Sequence, residues 1–311
     1  MSIPESIFAR RIVVVTGKGG VGKTTVCASL GLAFAKRGRR ACLVELNGQG
    51  RFAQLFGLGA RSYAPRAVAP GVETISLTAN ECLDDFAHRK LKMDTVVRML
   101  FKTRAVTGFL DAVPGLHDLF QLGKIENLLV DPHDDDPHYD AVIIDAPSTG
   151  HGLSMLSSAR TMADLVRVGR FHELSSTIER TFGDPEKTTI VVVTLPEELP
   201  VNETMEFISA LGPDRKLLSV VLANRYHAAP VPKGLAWELM EPLLRTSSDP
   251  DLRQLHRLAL TEIERQDAEG TSVSRLAASL DGLPVAVLPW VPGESRHVLA
   301  ALASDLLGDE S

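Results

Sequence analysis

Cysteine is scarce: Cys27, Cys42 and Cys82 are the only three in 311 residues, and none belongs to a C-x-x-C pair. That argues against a disulfide framework or a cysteine-rich zinc site, and leaves Cys27 and Cys42 as small packed hydrophobes. A basic excess is also missing, because 33 Lys and Arg face 39 Asp and Glu for a formal net charge of −6. Such a chain has no overall attraction for phosphate backbones or anionic lipid, so nucleic acid is not an expected main partner. Residues 1–10 lack the apolar stretch of a secretory signal, and no apolar run is long enough to span a bilayer. The expected address is the cytoplasm. Internal repeats and extended low-complexity segments are absent too. What remains is 44% apolar and 23% charged residues, the composition of an ordinary globular protein of one large or two smaller domains.

The chain alternates between strand and helix signals. Ile12-Val13-Val14-Val15 is an apolar run of the kind found in a sheet covered on both faces, and a glycine-rich loop follows it. From Gly22 to Arg37 the spacing of Val26, Leu30, Ala33 and Phe34 predicts a helix, with Gly38 as its stop. Further strands are predicted at 41–45, 72–77, 141–144, 189–193, 217–222 and 285–288. Alternation of this kind predicts an α/β fold with a doubly wound, mostly parallel sheet in a single domain over residues 1–311. Two stretches, about 79–130 and 153–182, carry helical apolar patterns that do not fit simple crossovers and are expected to form a helical subdomain from insertions. Their apolar residues make either a core of their own or a surface for a client protein, on which Met93, Met99, Met155 and Met162 could repack. Between elements, Asp131–His138 holds two histidines among four carboxylates. It reads as a solvated loop, or less economically as a divalent-metal site.

Gly17-Lys18-Gly19-Gly20-Val21-Gly22-Lys23-Thr24 satisfies the P-loop pattern and sits between a predicted strand and a predicted helix, the context that gives the pattern meaning. Glycines let successive backbone N–H groups turn inward at the positive end of a helix, making a nest for phosphate. Gly17, Gly19, Gly20, Val21, Gly22, Lys23, Thr24 and Thr25 are therefore the expected nucleotide-binding residues. Lys23 is expected on the β- and γ-phosphates of ATP, and the Thr24 hydroxyl on Mg²⁺. Asp145 ends the apolar run Val142-Ile143-Ile144, which places a carboxylate where α/β sheets hold ligands and makes it the second magnesium residue. Gly150 follows and could offer its N–H to the γ-phosphate. Asn224-Arg225-Tyr226-His227 is not the N-K-x-D motif of guanine binding, which favours ATP over GTP.

Lys18 in the variable part of the loop makes this a deviant Walker A motif, which resembles the SIMIBI class of P-loop ATPases. The resemblance implies an ATP-bound dimer in which Lys18 reaches the neighbouring subunit's phosphates, a solvated lysine being the alternative. Asp145-Ala146-Pro147-Ser148-Thr149-Gly150-His151 is similar to the switch II motif of the ArsA arsenite-pump and tail-anchored-protein-targeting ATPases. Weaker likeness runs through Val193–Thr204 and Leu283–Pro289, and Pro114-Gly115-Leu116 with Gln54-Leu55-Phe56 points to a bacterial branch with mycobacterial members. Family membership implies an adenine-binding role for Asn224, a dimer of identical or paralogous chains, and a client on the helical subdomain.

Departures narrow that inference. Where the targeting ATPases carry D-P-A-H after the second strand, this chain has Glu45-Leu46-Asn47-Gly48. Glu45 is then the carboxylate expected to orient the attacking water, with slow hydrolysis, or else it only caps a turn or pairs with a base. The zinc clasp and a recognisable arsenite-binding cysteine triad are missing, and the chain has one P-loop, so two chains must associate. His151 either begins a helix or takes part in the chemistry. The leading expectation is an ATP-driven dimeric switch for a client protein, with catalytic Lys18, Glu45 and Asp145. The alternative is a regulatory subunit that holds ATP with little hydrolysis. A positioning ATPase on membrane or DNA fits less well, because the last helical stretch, Ser295 to Leu307, has no lysine and runs into Gly308-Asp309-Glu310-Ser311.

Overall fold

The computed structural model describes residues 3–46, 48–89, 115–129, 139–148, 155, 158, 160–161, 169–227 and 235–308. Helix α1 (Ser6–Ala9) leads into β1 (Ile12–Thr16), the P-loop and α2 (Lys23–Lys36), then β2 (Ala41–Leu46), α3 (Arg51–Leu55), β3 (Arg66–Ala69) and β4 (Val72–Leu77). Next come α4 (Ala79–Arg89), α5 (Leu116–Asn127), β5 (Ala141–Asp145), α6 (Arg170–Phe182), β6 (Thr188–Thr194) and α7 (Glu198–Ala210). The chain continues through β7 (Leu218–Tyr226), α8 (Leu235–Thr246), α9 (Pro250–Ala278), β8 (Val285–Pro289) and α10 (Ser295–Leu307).

All eight strands form one sheet in the order β3-β4-β2-β5-β1-β6-β7-β8, parallel throughout except for the antiparallel pairing of β3 with β4. The expected α/β fold is the observed one. Strands β1, β2, β5 and β6 are buried along their whole length, which is why their sequences are continuous apolar runs rather than alternating ones. One core lies on each face. On the first, α2 and α10 pack together, and Val26, Leu30, Leu299 and Leu302 are among the buried residues of this core. On the other, Leu119, Leu122 and Ile125 of α5 and Ile178 of α6 cover the sheet.

Sequence spacing anticipated most of these elements, and the differences have physical causes. Strand β7 runs four residues further than expected, because Trp290 N–H donates to the Tyr226 carbonyl and keeps the edge paired. Strand β3 was not anticipated: it is four residues long and has no alternation, existing through its turn back onto β4. In the described part of the expected helical insertions, apolar side chains turn inward, Met155 among them. Met93, Met99, Met162 and the Asp131–His138 segment lie outside the described residues.

Candidate functional site

Strand β1 is central, with β5 on one side and β6 on the other, so its carboxyl end opens a crevice where the connections part in opposite directions. The P-loop fills that crevice. Gly17 has φ of +150°, and a Cβ there would lie 2.1 Å from the Val193 carbonyl oxygen, so the loop presses on β6 too closely for any side chain. Gly22 has φ of +94°, and a Cβ on it would strike Asn224 Nδ2 at 2.4 Å. Gly19 and Gly20 instead face open space, on the side where a ligand's phosphates would lie. A cavity of about 640 Å³ follows the loop, within the range for a nucleotide-sized ligand. It is lined by Gly19, Gly20, Gly22, Lys23, Thr24 and Thr25 of the loop, by Glu45 of β2, and by Asp145 of β5.

Register explains why residues a hundred positions apart meet here. Val15 of β1 pairs with Asp145 of β5, and Asp145 pairs with Glu45 of β2, so both carboxylates end their strands at one level. Lys23 is buried and donates to the carbonyls of Gly17 at 3.0 Å and Lys18 at 2.8 Å. Burial lowers its pKa, an effect that the nearby charge of Asp145 opposes. Thr24 donates its hydroxyl to Asp145 Oδ2 at 2.6 Å. The other carboxylate oxygen, Oδ1, is buried with no hydrogen-bond partner. Burial raises the Asp145 pKa, only partly offset by the Thr24 hydrogen bond and by the charges of Lys23 and Arg51. A buried carboxylate with an orphaned oxygen beside a hydroxyl is the donor set that a hard divalent cation takes, so the residues fit magnesium.

Glu45 is buried and already engaged. Its two carboxylate oxygens accept from the Arg51 backbone N–H at 2.9 and 3.1 Å, and Oε2 also accepts from the Ser76 hydroxyl at 3.2 Å. It therefore anchors the start of α3 while facing the cavity. Asn224 ends up beside the loop although it stands 203 positions after Val21, donating from Nδ2 to the Val21 carbonyl at 2.8 Å. Lys18 is turned to the outside, where its Nζ lies 3.2 Å from Glu203 Oε1 on α7 with both side chains partly exposed. Gly150 and His151 lie outside the described residues. The sequence did not single out Gln49 and Arg51, and it offered Ser148 only as part of the switch II likeness; all three also line the cavity. Gly48 and Gly50, both at positive φ, bracket Gln49 and were the available signal for a phosphate-facing turn.

Among the described residues no helix is long and apolar enough to cross a membrane, and no cluster of His, Cys, Asp and Glu is arranged to hold a metal by itself. The three described cysteines are free and buried. The model of the anion-transporting ATPase family matches residues 10–174, more than half of the chain. The chain is 31% identical over 228 residues to ATPase BagA of Mycobacterium tuberculosis, covering 71% of this chain and 67% of that protein. It is 27% identical over 241 residues to an ATPase ASNA1 homolog of Entamoeba dispar, covering 64% and 71%. With ATPase GET3 of Eremothecium gossypii it shares 24% over 233 residues, covering 64% and 67%. Together with a P-loop seated at the switch point of a parallel sheet, these likenesses show that the chain belongs to the ArsA-type anion-transporting ATPase family and is an ATPase.

Proposed function

We propose that the chain is a magnesium- and ATP-dependent dimeric switch of the cytoplasm, in which nucleotide state sets the arrangement of two subunits and, through it, the capture of a client protein. The observation that carries this reading is the divergence of the two loop lysines. Lys23 turns inward onto its own loop, whereas Lys18 points outward to Glu203, away from the cavity that its own loop surrounds. A lysine so placed is available to a second chain.

Within one subunit the roles follow from position. Backbone N–H groups of residues 19–25 and the Lys23 ammonium bind the phosphates, exchanging the Lys23 contacts to loop carbonyls for charge-assisted ones. Thr24 and Asp145 hold magnesium, which when bound offsets negative charge on the phosphate oxygens. Asn224 is proposed to meet the adenine, which its position beside the loop at the Val21 carbonyl supports, and Gly150 is proposed to offer its N–H to the γ-phosphate. Glu45 orients the attacking water. Its engagement by Arg51 and Ser76 leaves it little freedom to do so, which supports slow turnover. The same engagement favours a second reading, a regulatory chain that holds ATP beside an active paralogue. A single P-loop domain over residues 1–311, with a helical subdomain from 79–130 and 153–182 for the client, completes the proposal.

Sedimentation velocity with a non-hydrolysable ATP analogue and magnesium tests the switch. Lys18→Ala is expected to keep ATP binding and lose the nucleotide-dependent association, and unchanged association in that variant removes the trans role. Single-turnover hydrolysis of radiolabelled ATP separates the switch from the regulatory chain, which would retain the label as ATP.

A further inference from the structure

Of the nine exposed large hydrophobic side chains among the described residues, seven lie on α8 and α9. These helices form an antiparallel hairpin. Its inner seam is small: Leu244, His256 and Ala259 are buried, the Trp237 ring stacks on His256 with centroids 6.3 Å apart, and His256 Nε2 lies 3.0 Å from Glu241 Oε1. The far half of α9 is tied to the body by Leu276 in the core, by Glu269 accepting from His227 N–H at 2.8 Å, and by Arg275 donating to Asn202 at 2.9 Å.

Helix geometry then fixes which side is apolar. With 3.6 residues per turn and the seam marked by Leu244, His256 and Ala259, Met240 and Leu243 fall on the same side of the hairpin as Leu255 and Leu258. Pairing of Glu241 with His256 sets Met240 level with Leu258 and Leu243 level with Leu255, within a turn. These four side chains are 46%, 72%, 52% and 61% exposed. Adjacent large apolar side chains left in water on a folded surface mark an interaction site.

Charge identifies the occupant. Asp251 and Arg265 lie seven residues before and seven residues after Leu258, two turns each way, so all three share one stripe of α9. Within one chain Arg265 is held by Glu262 through Nη2. A twofold axis beside Leu258 places Asp251 against the other edge of the guanidinium of Arg265 of the partner subunit, and does so twice. Opposite charges symmetric about an apolar centre are the pattern of a self-complementary surface. A lipid surface would call for a basic border, whereas on this stripe Arg265 is already paired with Glu262, and Asp251 adds an acid. We propose that the α8–α9 hairpin is a homotypic interface, in which the Met240–Leu243–Leu255–Leu258 faces of two copies pack antiparallel into a four-helix bundle about a twofold axis at Leu258. This contact uses no residue of the phosphate cavity, so it forms without nucleotide and stands apart from the Lys18-dependent association.

Sedimentation velocity of the full chain without nucleotide, at micromolar concentration, tests it. The unaltered chain is expected to be a dimer. Leu258→Glu should be a monomer at the same concentration while still binding ATP, since an exposed position can accept the charge without loss of fold. Asp251→Arg and Arg265→Asp should each weaken association by about 10-fold, and the two together should restore it to within about 3-fold. A monomeric unaltered chain, a dimeric Leu258→Glu variant, or a double variant no better than its singles overturns the proposal. So does a chain that stays monomeric while its hairpin binds vesicles of anionic phospholipid.

Discussion

The phosphate edge and the α8–α9 hairpin meet near β7 yet follow opposite rules. At the phosphate edge, side chains converge from distant strands, and polar groups are buried with defined partners, as with Thr24 on Asp145 and Asn224 on Val21. On the hairpin, large apolar groups stand in water. Binding at the first depends on backbone conformation and on one or two charges, so small changes there should have large effects on nucleotide. Binding at the second depends on apolar area, so changes there should alter assembly and leave nucleotide alone. The lesson is that chemistry and assembly can be separated by substitution.

The largest effect is expected at Gly17. Gly17→Ala places a methyl group against the Val193 carbonyl, a backbone atom that cannot rotate away, at a φ of +150° that side chains rarely adopt. Loss of about 2–4 kcal/mol of stability is expected, read from denaturant unfolding, together with loss of ATP binding. A variant as stable as the parent would show that the loop does not press on β6.

Lys23→Ala tests the same edge without disturbing the backbone. Its ammonium is buried and meets only loop carbonyls in the absence of phosphate, so the fold should persist. ATP affinity should fall by roughly 100-fold in calorimetry, and nucleotide-free sedimentation should not change. If assembly without nucleotide failed in this variant, the separation between edge and hairpin would be lost.

Glu45→Gln probes the catalytic part of the edge. ATP binding should be kept, because Glu45 does not belong to the loop, while turnover measured by phosphate release should drop by about 10-fold or more. Undiminished hydrolysis would reduce Glu45 to an anchor for α3, the role its hydrogen bonds to Arg51 and Ser76 already serve.

The smallest effect is a pH dependence at Asp145. Its native pKa is raised by burial, so between the ordinary aspartate value of about 3.9 and that raised value the folded protein binds more protons than the unfolded chain. Stability contributed by the protonated form is therefore complete below the ordinary value and lost as pH rises through the native one. Asp145→Asn carries no such penalty. It should melt a few degrees higher than the parent at neutral pH without magnesium, with the gap closing as pH falls towards about 4. Calorimetric melts across that range decide it, and an equal gap at all pH values would mean that the carboxylate charge is not the cause.

Much of this edge was readable from the chain, and the reasons differ by residue. The P-loop was legible because its eight residues form a local backbone device between a strand and a helix. Asp145 was legible because a carboxylate closing a buried apolar run is costly to desolvate unless a cation or hydrogen-bond donors meet it there. Gln49 and Arg51 were not, since what aims them at the cavity is the turn between Gly48 and Gly50 and not any pattern of their own. For 79–130 and 153–182 the sequence left open a core or a client surface; in their described parts Leu119, Leu122 and Ile178 lie inside, and six of the seven exposed leucines among the described residues are on the hairpin, Leu199 being the other.

By itself the sequence determined the α/β alternation, the parallel sheet and the phosphate loop, because each depends on neighbours within a few residues: continuous β-branched runs, a 3.6-residue repeat, glycines at positive φ. Tertiary structure alone decided that Glu45 and Asp145 share a level, that Asn224 touches Val21, and that Lys18 faces Glu203 instead of its own loop. It also decided that Leu255 and Leu258 remain in water while Leu276, on the same helix, is buried. Apolar spacing records which face of a helix is fit to be covered, and only the packing of the other elements determines whether something covers it.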